Sequence, residues 1–453
     1  MAKWNRRAFL RTTCCSAAAG FAAASFSRFG MMNALAQSAT DYKALVCIFL
    51  FGGNDSNNMV IPFDATGYNA YRAARGGLAL AQGSILPINP PSQGKPFAFH
   101  PRFTGMQTLF NQQHAAVVAN VGTLIQPTTR DQFRRGGVQV PINLFSHSDQ
   151  EAQMQTAILD KIAETGWAGR TADKIQAAFG GNFPIIISLA GTNIFCEGLV
   201  AQSIQSNGNP TRLLSGFGGG SAESTARLSA LQSLLTFDTG LSLVQAASTT
   251  TGSAIQNGQA LAAALATGTP LATVFPNSGL SNQLQQVAKI IQVRGALGLQ
   301  RQIFFVSTGG YDTHSDQLPQ QDNLLNDLNQ SLSAFYQATV EMGVASQVTA
   351  FTLSDFGRTW LPNSNGTDHA WGSHMVVVGG AVKGGDFYGT FPTLVAGGPD
   401  DATSEGRWVP TTSLDQYAAT LASWFGVQAA DLPSVFSNLP NFATPTVGFM
   451  GIG

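Results

Sequence analysis

The sequence predicts an open α/β sheet covered by helices, on three observations. Apolar runs of strand length recur at 44–51 (ALVCIFLF) and 115–122 (AAVVANVG), and a run apolar at every position fits a strand buried on both faces, as in a parallel sheet. The stretch 318–343 sets Leu324, Leu325, Leu328, Leu332, Phe335 and Val340 on one stripe at helical spacing, as in a helix laid on a sheet. Strand after strand also ends in a loop rich in carboxylates, imidazoles or hydroxyls, and in open α/β sheets sites form at the carboxyl ends of strands.

Composition bounds the rest. The 453 residues suffice for one large α/β domain with insertions or two smaller ones. Charged residues make up only 11% and the formal net charge is −1, so nothing favours nucleic acid or an anionic membrane as partner. The amino-terminal pattern Asn5-Arg6-Arg7-Ala8-Phe9-Leu10, an apolar run over 12–26 and Ala34-Leu35-Ala36 resemble a twin-arginine signal peptide. Residues 1–36 are therefore expected to be removed, leaving no permanent membrane anchor because the run is shorter than a span. The expected partner is the twin-arginine export machinery, and the expected location is the periplasm or the outside of the cell. The remainder, 37–453, reads as one α/β domain with a helical insertion at about 200–300. Cys47 and Cys196 remain in it; an oxidising compartment permits a disulfide, while a strand-interior cysteine also fits a small buried apolar residue.

In chain order, the strand at 44–51 runs through Gly52-Gly53-Asn54 to Asp55. After the strand at 115–122, a polar segment leads to Ser146 and His147 ahead of a helix expected over 149–165, where Ser148 and Glu151 have capping-box spacing. A helix N-terminus favours anions, so Ser146 either caps the helix or attacks a phosphoryl or sulfuryl centre. Phe183 to Ala190 reads as a further strand, and 200–300 as helices joined by loops. The strand at 301–307 delivers Asp312-Thr313-His314, a carboxylate and an imidazole within reach of one ion. The strand at 347–353 delivers Asp355; Asp368, His369 and His374 follow before a strand at 375–378. Asp355 can simply cap a turn, and the histidines can be polar loop residues. Yet four of the six histidines fall in these loops, and grouped carboxylates and imidazoles are what zinc, manganese or magnesium require. His100 and His114 take ordinary surface or core roles.

LVCIFLFGGNDSNN, FSHSDQ, TGWAGR, GGYDTHSDQ, LSDFGRT, NGTDHAWGSHMVVVGGAVKGG and TTSLDQYAATLASWFGV together resemble the exported, sulfatase-like family filed as domain of unknown function fifteen-oh-one, within the alkaline phosphatase superfamily. The resemblance implies a doubly wound α/β/α sandwich and an exported, metal-dependent hydrolase of phosphate or sulfate esters, holding one or two divalent ions (zinc, manganese, magnesium or calcium). It implies Ser146 as nucleophile, with Asp312, His314 and His369 on one ion and Asp355 with Asp55 on a second. His147, Asp368 and His374 would ligate or support, and Arg358 would neutralise a non-bridging oxygen. The chain departs from the superfamily pattern in two places. Asp355 is followed by Phe356 rather than histidine, and one residue rather than three separates Asp312 from His314. A catalytically inactive binding protein on the same fold is the alternative.

Overall fold

Nine strands form the main sheet of the computed structural model, which describes residues 41–451 except 180, 182, 211–216, 218–220 and 238–239. The signal-peptide expectation lies outside the described residues. The strands, numbered in chain order, are β1 (Lys43–Leu50), β2 (Ala115–Gly122), β3 (Ile186–Ser188), β4 (Ser203–Gln205), β5 (Arg301–Thr308), β6 (Val348–Ser354), β7 (Ser373–Gly379), β8 (Phe387–Tyr388) and β9 (Thr412–Ser413). Their spatial order is β8-β2-β7-β6-β1-β5-β3-β4, with β9 also paired to β2. All pairings are parallel except those of β7, which runs antiparallel to both β2 and β6. The helices that bear on the site are α1 (Ala65–Arg75), α2 (His147–Thr156), α3 (Trp167–Phe179), α4 (Gly279–Gln292), α5 (Gln317–Glu341) and α6 (Leu414–Phe425).

The expected layering is observed. Every β1 residue from Ala44 to Leu50 is buried, which requires cover on both faces of the sheet. Trp167 of α3 and Tyr417 of α6 both meet the ring of Phe351 on β6. Helix α4 packs on β5 and on α5 through Leu280, Leu284, Val287 and Ile291, so the last part of 200–300 belongs to the cover of the sheet. Ahead of it, helices Ala222–Leu235 and Ser242–Leu265 pack on each other. Cys47 and Cys196 are both buried and free. Among the described residues no helix is long and apolar enough to cross a membrane.

Two elements differ from expectation, each for a local reason. The strand expected over 183–190 shrinks to Ile186–Ser188. Pro184 has no N–H for the ladder, and the Ser188 hydroxyl binds the Gly191 carbonyl and turns the chain. The helix expected over 149–165 spans His147–Thr156 instead. It ends where Ala157 enters the left-handed region at φ 53° and Arg170 takes the Thr156 carbonyl at 2.5 Å, satisfying a C-terminal acceptor that another turn would have used. The capping box does not form. Ser146 is the N-cap, its side chain does not cap the helix, and Glu151 lies beside Asp355 instead.

Candidate metal centre

The site follows from strand direction. Asp355 directly follows β6, and Asp312 lies four residues beyond β5, at the carboxyl rim of the sheet. Because β7 is reversed, its beginning reaches the same rim, which brings His369 alongside. His147 opens α2 after the long connection from β2.

Asp312 Oδ1 is the centre of the group. It lies 2.8 Å from Arg358 Nη1, 3.0 Å from His314 Nε2, 3.3 Å from His369 Nε2 and 3.4 Å from His147 Nε2. His314 Nε2 and His369 Nε2 are 3.0 Å apart. Each imidazole is fixed from behind through Nδ1: His147 on Asp355 Oδ2 at 2.6 Å, His314 on Asp368 Oδ1 at 3.1 Å, and His369 on the Phe145 carbonyl at 2.8 Å. Carboxylates and carbonyls accept only, so each Nδ1 carries a proton; in the neutral imidazole each Nε2 then turns a lone pair towards Asp312, and in the charged form it donates to Asp312. Three lone pairs and a carboxylate oxygen repel one another unless protons or a cation join them. Ligand atoms of a tetrahedral zinc ion, bound at about 2.0–2.1 Å, lie roughly 3.3 Å apart, close to the distances from Asp312 Oδ1 to the three Nε2 atoms. His147, Asp312 and His369 have ligand atoms within 4.8 Å of one another and could hold a divalent cation, with His314 Nε2 beside Asp312 and His369 and with Asp355, Asp368 and Phe145 as the orienting groups such ligands need.

Burial works against the Asp312 charge, but Arg358, His314 and His147 outweigh it and hold its carboxyl below the usual range. The Asp355 hydrogen bond raises the pKa of His147, whereas burial lowers that of His369. Burial and the neighbouring Asp355 carboxylate push Glu151 up to about 7. His147, Glu151 and Asp355 form a second group with converging ligand atoms. Glu151 follows His147 by four residues, a spacing that puts both on one helix face and is readable in the sequence; Arg75, by contrast, gives no sequence signal.

Asp55 and His374 lie outside this group. Asp55 is 2% exposed, paired with the buried Arg75 and bound by Gln317 Nε2, while its Oδ1 accepts the Asn57 N–H at 3.0 Å. Arg75 also donates to the carbonyls of Thr359 and Trp360. His374 is buried in β7, stacks on Phe391 with ring centroids 4.5 Å apart and accepts the Asn120 N–H at Nδ1; burial drops its pKa to about 3, so it stays neutral. Ser146 stands at the N-cap position of the site's helix, but its Oγ donates to Asp149 Oδ2 at 2.7 Å rather than capping a backbone N–H. Arg358 is fully buried and also donates to the Thr367 carbonyl.

Gly52 welds the halves together. Its N–H donates to both oxygens of Asp355, at 3.2 and 3.1 Å, and a Cβ on it would stand 2.4 Å from Asp312 N at φ +114°. Gly52→Ala is therefore expected to displace Asp312 and Asp355 together, costing about 2 kcal/mol or more of stability and abolishing metal retention. Thermal unfolding and metal analysis of the purified variant check both; a variant that retains metal with an unchanged midpoint contradicts the packing argument.

No protein of curated function matches the sequence. Among solved structures, the lipoteichoic acid synthase LtaP from Listeria monocytogenes is similar at 8% identity and a TM-score of 0.33, covering 87% of this chain and 74% of that one. The PsFucS1 sulfatase from Pseudoalteromonas sp. is similar at 8% identity and a TM-score of 0.30, covering 80% and 67%. At this distance neither protein's chemistry transfers to the chain. The family model described as protein of unknown function (DUF1501) matches residues 42–404, which is most of the sequence, and the chain belongs to that family.

Proposed function

We propose that the chain is an exported, metal-dependent hydrolase of phosphate or sulfate esters. The observation that supports this reading is the convergence of three oriented imidazole Nε2 atoms on Asp312 Oδ1. His147, His314, His369 and Asp312 would hold a divalent cation, which supplies positive charge to the ester's oxygens. Next to it, the α2 N-terminus offers N–H groups and a dipole suited to the anionic group, and Ser146 at its N-cap would serve as the nucleophile. Asp149 orients the serine by accepting its hydroxyl proton, but hydrogen bonds from Asn143 and Ser146 lower its pKa and make it a weak base. Arg358, fixed on Asp312, supplies a permanent positive charge at the rim. The Arg75–Asp55 pair occupies the first-strand carboxylate, which favours one ion over two and keeps a second reading open: a catalytically silent protein binding an anionic ligand at the same rim.

Metal analysis of the signal-processed protein, followed by a panel of phosphate and sulfate esters, separates the two. The hydrolase reading expects bound metal, ester turnover, loss of metal in His369→Ala, and turnover lowered at least about 10²-fold in Ser146→Ala with metal retained. Folded protein that takes up no metal, or bound metal without turnover of any ester, selects the binder. Turnover unaffected by Ser146→Ala removes the serine from the mechanism.

The pH dependence has a defined sign. A protonated imidazole cannot ligate, and the pKa of His147 is raised, so protons displace the cation at a higher pH than for an ordinary histidine. Metal affinity is expected to begin falling, as pH drops, above the ordinary histidine range of about 6.5. Calorimetric titration across pH 5.5–8.5, about three units wide, measures it, and an affinity flat through that window contradicts the assignment of His147 as a ligand.

A further inference from the structure

We infer that Arg407 is a positioning residue for His369, acting by clamping the strained Phe145 against it; the inference rests on the metal-site reading above. Phe145 sits at φ +72°, a region that costs a bulky residue on the order of 1–3 kcal/mol and persists only when its surroundings over-determine it. Three contacts do so. The Phe145 N–H donates to Gln150 Oε1 at 2.8 Å, its carbonyl accepts the His369 Nδ1–H at 2.8 Å, and its ring lies under the Arg407 guanidinium, 5.2 Å from centroid to carbon. Arg407 also binds the other side of the pair, with Nε donating to the His369 carbonyl at 2.7 Å. One planar group thus grips both partners of the hydrogen bond that fixes His369 as the Nδ1–H tautomer.

Arg407 is itself held rigidly. Its N–H donates to Asp401 Oδ1 at 2.9 Å and its carbonyl accepts the Ala402 N–H at 2.8 Å. Asp401 is fully buried, and its carboxylate also takes the N–H groups of Gly397, Thr403 and Gly406. Glu405 Oε2 accepts from Arg407 Nη1 at 2.5 Å, which leaves Nε aimed at His369. Without Arg407 two ties fail together, the ring contact on Phe145 and the bond to the His369 carbonyl. Phe145 then relaxes towards ordinary backbone angles, its carbonyl leaves Nδ1, and His369 populates the Nε2–H tautomer, which has no lone pair for a cation at that position.

The test uses metal-free protein with 15N-labelled histidine at a pH where imidazoles are neutral, followed by zinc titration. Wild type should show His369 as the Nδ1–H tautomer. Arg407→Ala should show Nε2–H at His369 with His314 unchanged, and zinc affinity weaker by about 10–100-fold. Arg407→Lys, which keeps one donor for the His369 carbonyl, should recover part of both. The inference is overturned if His369 in Arg407→Ala keeps Nδ1–H and its zinc affinity, or if His314 changes tautomer to the same extent. Should Arg407→Ala fail to fold, Phe145→Ala removes the ring contact with Arg407 in place and should loosen the same tautomer; an unchanged tautomer there overturns the inference equally. If wild type binds no zinc while the tautomer still depends on Arg407, the metal-site reading falls and the positioning role stands.

Discussion

Asp312→Ala is expected to abolish binding of the proposed divalent cation. Structural zinc sites contribute roughly 10–16 kcal/mol of binding free energy, so one of four ligands accounts for about 3–4 kcal/mol, a loss of roughly 10²–10³-fold in affinity. Asp312 should stand at the upper end, because its oxygen is the atom on which all three Nε2 groups and Arg358 converge. Asp312→Asn separates charge from shape. It keeps an acceptor for Arg358 but no negative charge, and should lose most of the affinity while preserving the fold. Metal analysis after gel filtration and an isothermal titration of both variants read the outcome. Full metal occupancy in Asp312→Ala would place the ion elsewhere, with the Glu151, Asp355 and His147 group as the next place to look.

Arg75→Met should be the most destabilising change in the rim. Arg75 is completely buried and neutralises Asp55, itself 2% exposed. Removing one partner of a buried pair strands the other charge, at a cost of about 3–5 kcal/mol. The substitution also removes the donors on the Thr359 and Trp360 carbonyls, which tie α1 to the segment bearing Arg358. Combining it with Asp55→Leu should return a large part of the loss, since no charge then remains without a partner. Urea unfolding of the single and double variants decides it; a single-variant effect below about 1 kcal/mol would contradict the buried-pair argument.

The reading of the chain as a sheet with its chemistry on one rim came from local signals that survive folding. Continuous burial of β1 needs only an apolar run, and β1, β2, β5 and β6 fall within about a residue of where the pattern put them. Asp312, His314, Asp355 and His369 were legible as a group because each follows a strand or precedes one, and strand ends in such a sheet share an edge. The same reasoning grouped Asp55 and His374 with them, since position along the chain says where a residue emerges but not which way it turns.

Direction and partnership were decided by the tertiary structure. The reversal of β7 carries His369 to the rim, and no residue pattern within the strand specifies which way it runs. Arg75 lies in an ordinary helix and pairs with Asp55 across the fold. Glu151 has the spacing of a helix cap but is placed beside Asp355 because the helix begins two residues earlier. Arg407 reaches His369 from 38 positions along the chain. The physical reason is common to these cases. Periodicity and propensity act over a few residues and fix which segments become strands and helices, whereas a buried charge or an imidazole tautomer is set by whichever group the packing brings within about 3 Å, a condition written in three dimensions.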